Sequence, residues 1–207
     1  MTHEQVVKSF ALVAVTLVLA GQAIAADRPP KPAHSAVDDK LCTWEWKEGG
    51  GLGLWAERCK LDTGLWELTF KPDLPGFVLT IDGEDPQTVL QVFTKPAAAP
   101  IDAVLPELVK RGYTLATECA FAPADLSYLP KPPAGQSFYE IVPTGKRKAD
   151  FDALPDDEVP DPPCGDYGTA PDGIQYFMTE AAHPGRAVFV NLGQDGTMFD
   201  PNTLTLE

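Results

Sequence analysis

Histidine is almost missing from this sequence: His3, His34 and His183 are the only three in 207 residues. Serine is nearly as scarce, and beyond residue 40 only Ser127 and Ser137 remain. No G-x-S-x-G turn is present, so a Ser-His-Asp hydrolase would have to be assembled around His183 without a nucleophile elbow. No C-x-x-C and no neighbouring pair of histidines occur, which removes the common zinc and dithiol patterns. Lys146-Arg147-Lys148 follows Pro143-Thr144-Gly145, but the Walker glycine spacing is lacking and Arg147 stands where a phosphate loop needs Ser or Thr. These three residues read as a charged cap on a strand end. No cofactor is expected. If the chain is an enzyme, its carboxylates must do the chemistry.

Positive charge is also in short supply. Sixteen Lys and Arg face thirty Asp and Glu, for a net charge of −14. Such a chain repels nucleic acid and anionic lipid and attracts basic partners. The deficit is concentrated: from Ala149 to Gly185 there is no Lys or Arg, while Asp156, Asp157 and Glu158 sit among repeated prolines. That stretch reads as an acidic loop.

One long apolar run is present. Lys8 precedes Phe10–Ala20, and Ala23-Ile24-Ala25 supplies small residues for cleavage, the layout of a secretory signal peptide over 1–25. The run is too short for a stable membrane anchor, so a periplasmic or secreted location is expected. Glu4 and Lys8 cancel, so the exported chain keeps its acidity. Residues 26–40 are polar and proline-rich and read as a flexible leader, and 41–207 as a single β-rich domain.

The four cysteines, Cys42, Cys59, Cys119 and Cys164, fit two disulfides in an exported protein. Between the first two, Thr43-Trp44-Glu45-Trp46 and Trp55-Ala56-Glu57-Arg58 flank Gly49-Gly50-Gly51. A hairpin turned at Gly50/Gly51 sets Cys42 opposite Cys59 and Trp46 opposite Trp55. The pairs Cys42–Cys59 and Cys119–Cys164 follow, worth about 3 and about 4 kcal/mol in the loop-entropy model.

Period-two alternation marks further strands at Trp66-Leu68-Phe70, at Phe77-Leu79-Ile81 and at Ile174-Tyr176-Met178. Val89–Phe93 is continuously apolar, as a central strand is. Phe138–Val142, Ala187–Leu192 and Thr203–Leu206 complete the set. One helix is expected near Leu105–Arg111, closed by Gly112, and 114–136 reads mostly as ordered loop. The expected fold is mainly β (β-rich α+β): a twisted antiparallel sheet or open barrel with one short helix and long disulfide-tied loops.

The four tryptophans, Trp44, Trp46, Trp55 and Trp66, fall within 23 residues. An exposed set of indoles stacks on sugar rings, and Glu57 shares the Trp55 face, so Glu57 is the candidate catalytic carboxylate for a hydrolase of envelope glycan. In the alternative, the indoles pack beside a disulfide. Asp195, Asp200 and Asn202 are oxygen donors of the calcium type, although their spacing is not that of an EF-hand. Three functions stay open: a non-catalytic binding or inhibitor module for a basic envelope or cell-wall-acting protein, using Trp44, Trp46, Trp55 and the Asp156-Asp157-Glu158 loop; the Glu57 hydrolase; and a structural envelope protein.

Overall fold

The computed structural model describes residues 28–34, 39–62, 64–83, 86–124, 131–155, 158, 164–165, 174–192 and 199–207. Ten strands form one antiparallel sheet: β1 (Cys42–Gly49), β2 (Leu52–Leu61), β3 (Gly64–Lys71), β4 (Gly76–Ile81), β5 (Gln87–Thr94), β6 (Cys119–Pro123), β7 (Gln136–Pro143), β8 (Gln175–Glu180), β9 (Arg186–Asn191) and β10 (Thr205–Leu206). Their spatial order is β1-β2-β3-β4-β5-β9-β8-β7-β6, with β10 against β2. The sheet is open rather than closed into a barrel. It consists of two meanders joined where β5 pairs β9, with Leu90 opposite Val190 and Val92 opposite Val188.

Side-chain alternation gives this sheet two cores. Leu90 and Val92 of β5, Val188 and Val190 of β9, and Tyr176 and Met178 of β8 fall in the larger one, with Leu52, Leu54 and Leu68. Phe93, Phe177, Ala187 and Phe189, one position out of phase, fall in the smaller one. Both faces of β5 are therefore covered, which is why its sequence is continuously apolar and not alternating. The smaller core is roofed by a 3-10 turn (Ile101–Val104) running into α1 (Leu105–Lys110), which contribute Ile101, Val104 and Leu108.

Two elements depart from expectation. A second helix, α2 (Gly145–Asp152), takes in Lys146, Arg147 and Lys148, so these residues do not cap a strand end. None of its residues is buried, so it carries no apolar stripe for a pattern search to find. Lys146–Asp150 at 2.5 Å and Lys148–Asp152 at 2.9 Å are i,i+4 pairs, and the Glu118 carboxylate accepts from the Arg147 amide at 3.0 Å, in the first turn. The hydrogen bond and charge of Asp150 hold the Lys146 ammonium above its ordinary pKa. Within the expected loop 114–136, Cys119–Pro123 forms the edge strand β6, a position that tolerates its proline.

Both expected disulfides are present, Cys42–Cys59 and Cys119–Cys164. No helix among the described residues is long and apolar enough to cross a membrane.

Tyr176 is buried in the larger core, stacked on Phe138 with ring centroids 4.5 Å apart. Desolvation raises its phenol well above the ordinary value of 10. On raising the pH, the unfolded chain releases this proton first. The associated stability is complete below about pH 10 and declines above it, by about 1.4 kcal/mol per pH unit. Urea unfolding between pH 9 and 11.5 is expected to show a shallower alkaline decline for Tyr176→Phe than for the wild type. Equal slopes would show that Tyr176 ionises in the folded protein as readily as in water.

Candidate functional site

Gly50 and Gly51, at φ +59° and +79°, make the tight turn between β1 and β2, a conformation that glycine adopts without steric cost. The register runs unbroken from Cys42↔Cys59 through Trp44↔Glu57 and Trp46↔Trp55 to Gly49↔Leu52. One face of this hairpin thus carries the Cys42–Cys59 disulfide, Trp44, Trp46, Trp55 and Glu57. Trp46 and Trp55 meet edge to face, centroids 5.7 Å apart at 71°. Gly53 makes room for this arrangement, since a Cβ there would lie 2.5 Å from the Trp46 ring. Trp66, opposite Cys59 on β3, shares this side of the sheet but packs against the larger core with Leu68 and Phe70. Of the four clustered indoles, three thus line the hairpin itself and the fourth lies opposite Cys59 on β3.

That face is occupied by the chain's own proline-rich segment. The Trp55 Nε1–H donates to the Pro29 carbonyl at 2.8 Å, and the Trp44 Nε1–H donates to the His34 carbonyl at 3.0 Å. The Arg28 guanidinium lies 5.2 Å from the Trp46 ring centroid and 3.3 Å from Glu48 Oε2. The same carboxylate oxygen accepts from Trp46 Nε1 at 2.8 Å. Residues 28–34 of the expected flexible leader are thereby laid across the indoles. The leader's composition revealed none of this, because both hydrogen bonds from the indoles go to backbone carbonyls.

Glu57 is completely buried. A carboxylate oxygen of Glu57 and the Cys42 and Cys59 sulfurs lie within 4.8 Å of one another, but both sulfurs are spent in the disulfide and are not thiolate ligands. Glu45 points to the other side of the hairpin, where Lys47 lies at 3.0 Å and Arg58 at 3.7 Å. Arg58 also reaches Glu67 at 3.0 Å. Glu57 is thus parted by the hairpin from Glu45 and Glu67, and the carboxylates with the indoles do not form an open pair.

The other sequence candidates are dispersed. Asp156 and Asp157 lie outside the described residues, and Glu158 is exposed. Asp195 also lies outside them. Asp200 is engaged locally: its Oδ1 accepts from the Asn202 backbone N–H at 2.9 Å and from the Asn202 side-chain amide at 3.1 Å, capping a 3-10 turn. Glu180 Oε2 lies 2.7 Å from His183 Nδ1. Glu180 lines a cleft of about 250 Å³ with Ser137, Thr179, Tyr139 and Lys95. Ser127 lies outside the described residues. Comparisons with protein-family models, with curated proteins and with solved structures each returned no significant match.

Proposed function

We propose that this chain is a non-catalytic binding module for a basic partner, exported to the periplasm or beyond by the signal peptide read in residues 1–25. One observation carries the reading. The indole face of the hairpin holds a segment containing Arg28 and Lys31, and it does so through a carboxylate, a ring face and two indole N–H donors. A surface that seats a basic segment in cis has the chemistry to seat one in trans. The net charge of −14 adds long-range attraction for a cationic partner, and the disulfide across β1 and β2 stiffens the surface that receives it.

Burial of Glu57 gives no support to glycan hydrolysis, which needs two carboxyls facing each other across an accessible groove. An assembly role would show as a contiguous apolar patch. The large exposed apolar side chains among the described residues are Leu41, Val109 and Leu154, set apart before β1, on α1 and after α2.

The test is retention of envelope proteins on the immobilised chain at about 25 and about 300 mM salt. A basic cell-wall-acting protein held at low salt and released at high salt is the expected outcome, because exposed charge pairs are screened over roughly 10 Å or less at such ionic strength. Retention that ignores salt would overturn the electrostatic basis of the reading.

A further inference from the structure

The geometry points to a ligand class: we infer that the indole face of the β1–β2 hairpin is a groove for an arginine-led proline-rich peptide of another protein, with residues 28–34 as its built-in competitor. This deepens the binding-module reading and rests on it.

Three of the seven residues in Arg28–His34 are proline. Proline sets φ near −65°, and each residue before a proline is pushed toward extended ψ. The segment's sequence therefore favours polyproline II, which has no internal hydrogen bonds and leaves its carbonyls turned outward. Proline-rich segments are recognised by aromatic-lined grooves that exploit this pre-set shape. All parts of that mode are present here. Trp46 and Trp55 form the aromatic floor, and Trp55 and Trp44 donate to the carbonyls of Pro29 and His34. Glu48 selects a cation at the leading end while being held by Trp46. Two of these contacts are to main-chain oxygen and read shape, so a foreign segment with the same carbonyl spacing and a leading arginine satisfies the same donors.

The cis occupant is held lightly enough to exchange. Five of its seven residues are exposed, and Arg28 and Glu48 keep more than half of their side-chain surface in water. Its advantage is tethering, which sets an effective concentration on the order of millimolar. A trans peptide must compete against that figure unless the strap is released. Partner binding and strap release are thus one event.

The experiment uses the full mature chain and a synthetic peptide of residues 28–34. A strap-released variant carries Arg28→Ser, Pro29→Ser, Pro30→Ser and Pro32→Ser at unchanged length. Indole N–H resonances of the ¹⁵N-labelled variant are followed as peptide is added. Those of Trp44 and Trp55 are expected to move toward their wild-type positions while that of Trp66 stays. Wild type should bind the peptide at least roughly 10-fold more weakly than the variant, since the tether competes. A peptide with glycine for each proline should lose a similar factor. Adding Trp55→Phe to the variant should weaken binding roughly 5-fold, the loss of one neutral hydrogen bond.

If the fourfold variant fails to fold, Arg28→Ala alone loosens the strap while keeping every proline, and its peptide affinity should exceed that of wild type. Equal affinity of wild type and released chain, or indifference to the glycine replacement, would overturn the assignment. So would a wild-type dimer formed by exchanged straps, which would give the groove to a second copy. If no peptide binds but extract still yields a salt-released basic protein, only the ligand class falls. If the peptide binds and no basic protein is retained, the partner reading falls instead.

Discussion

Phe177→Ala is expected to cost about 3–5 kcal/mol, the range for truncating a fully buried phenylalanine. Phe177 has no solvent exposure, and its ring centroid lies 4.8 Å from that of Phe121, 5.2 Å from Phe189 and 6.3 Å from Phe93. It therefore joins β8 to the edge strand β6, to β9 and to β5 at once. Removing it strips four strands and the roof of α1 of a shared contact, and the neighbours are rings that cannot collapse into the gap without leaving their own rotamers. A domain of this size typically has about 5–15 kcal/mol in total, so the loss is a large share. Urea unfolding should show a lower midpoint with an unchanged slope. Phe177→Leu, which keeps most of the volume, should cost clearly less. A cost below about 1 kcal/mol for the alanine variant would mean that the helical layer is not packed on this face of the sheet.

Opening the Cys119–Cys164 bridge should have a comparable effect. The two residues are 45 apart in sequence, and the loop-entropy model assigns a closure of that length about 4 kcal/mol. Further stability follows from burial, because Cys164 is fully buried in the smaller core. Its carbonyl accepts from the Ala116 amide at 2.8 Å, and a Cβ on Gly165 would lie 2.3 Å from the Thr114 carbonyl. Residues 164–165 are thus pressed against the irregular segment that leads into β6. The double variant Cys119→Ala, Cys164→Ala is expected to lower stability more than Cys42→Ala, Cys59→Ala, whose bridge spans 17 residues already held by a continuous ladder. Thermal unfolding of the two double variants checks the order. The reverse order would show that the first hairpin depends on its disulfide for register.

The hairpin was legible in the sequence because three local signals agree. Two glycines stand where positive φ is needed, two cysteines stand equidistant from them, and alternation places Trp46 opposite Trp55. The double burial of β5 was legible for a similar reason, since Val89–Phe93 has no polar face to turn to water except Gln91. Gln91 finds a partner in the Tyr113 hydroxyl. What failed to show was whatever depends on pairing across long stretches of chain or on main-chain atoms. Nothing local marks β9 as the neighbour of β5. Helix α2 owes its existence to charge pairs and to Glu118, which approaches it from outside. The strap was hidden because Pro29 and His34 contribute carbonyl oxygens, which every residue has. Trp66 was separable from the other indoles only through the period-two pattern it shares with Leu68 and Phe70, which already pointed to a core.

The join between β5 and β9 has a consequence for how the chain must reach this state. Leu90 waits for Val190, roughly a hundred positions later, so the N-terminal meander has its own partners well before the strand that seals it arrives. Throughout that interval one edge of a strand rich in Val, Leu and Phe is a bare template of the kind that recruits foreign strands. Pairings this distant also place the protein among slow folders. Nascent chains therefore pass through a stage in which the N-terminal meander exists without the strand that seals it, and aggregation at that stage competes directly with the arrival of β9.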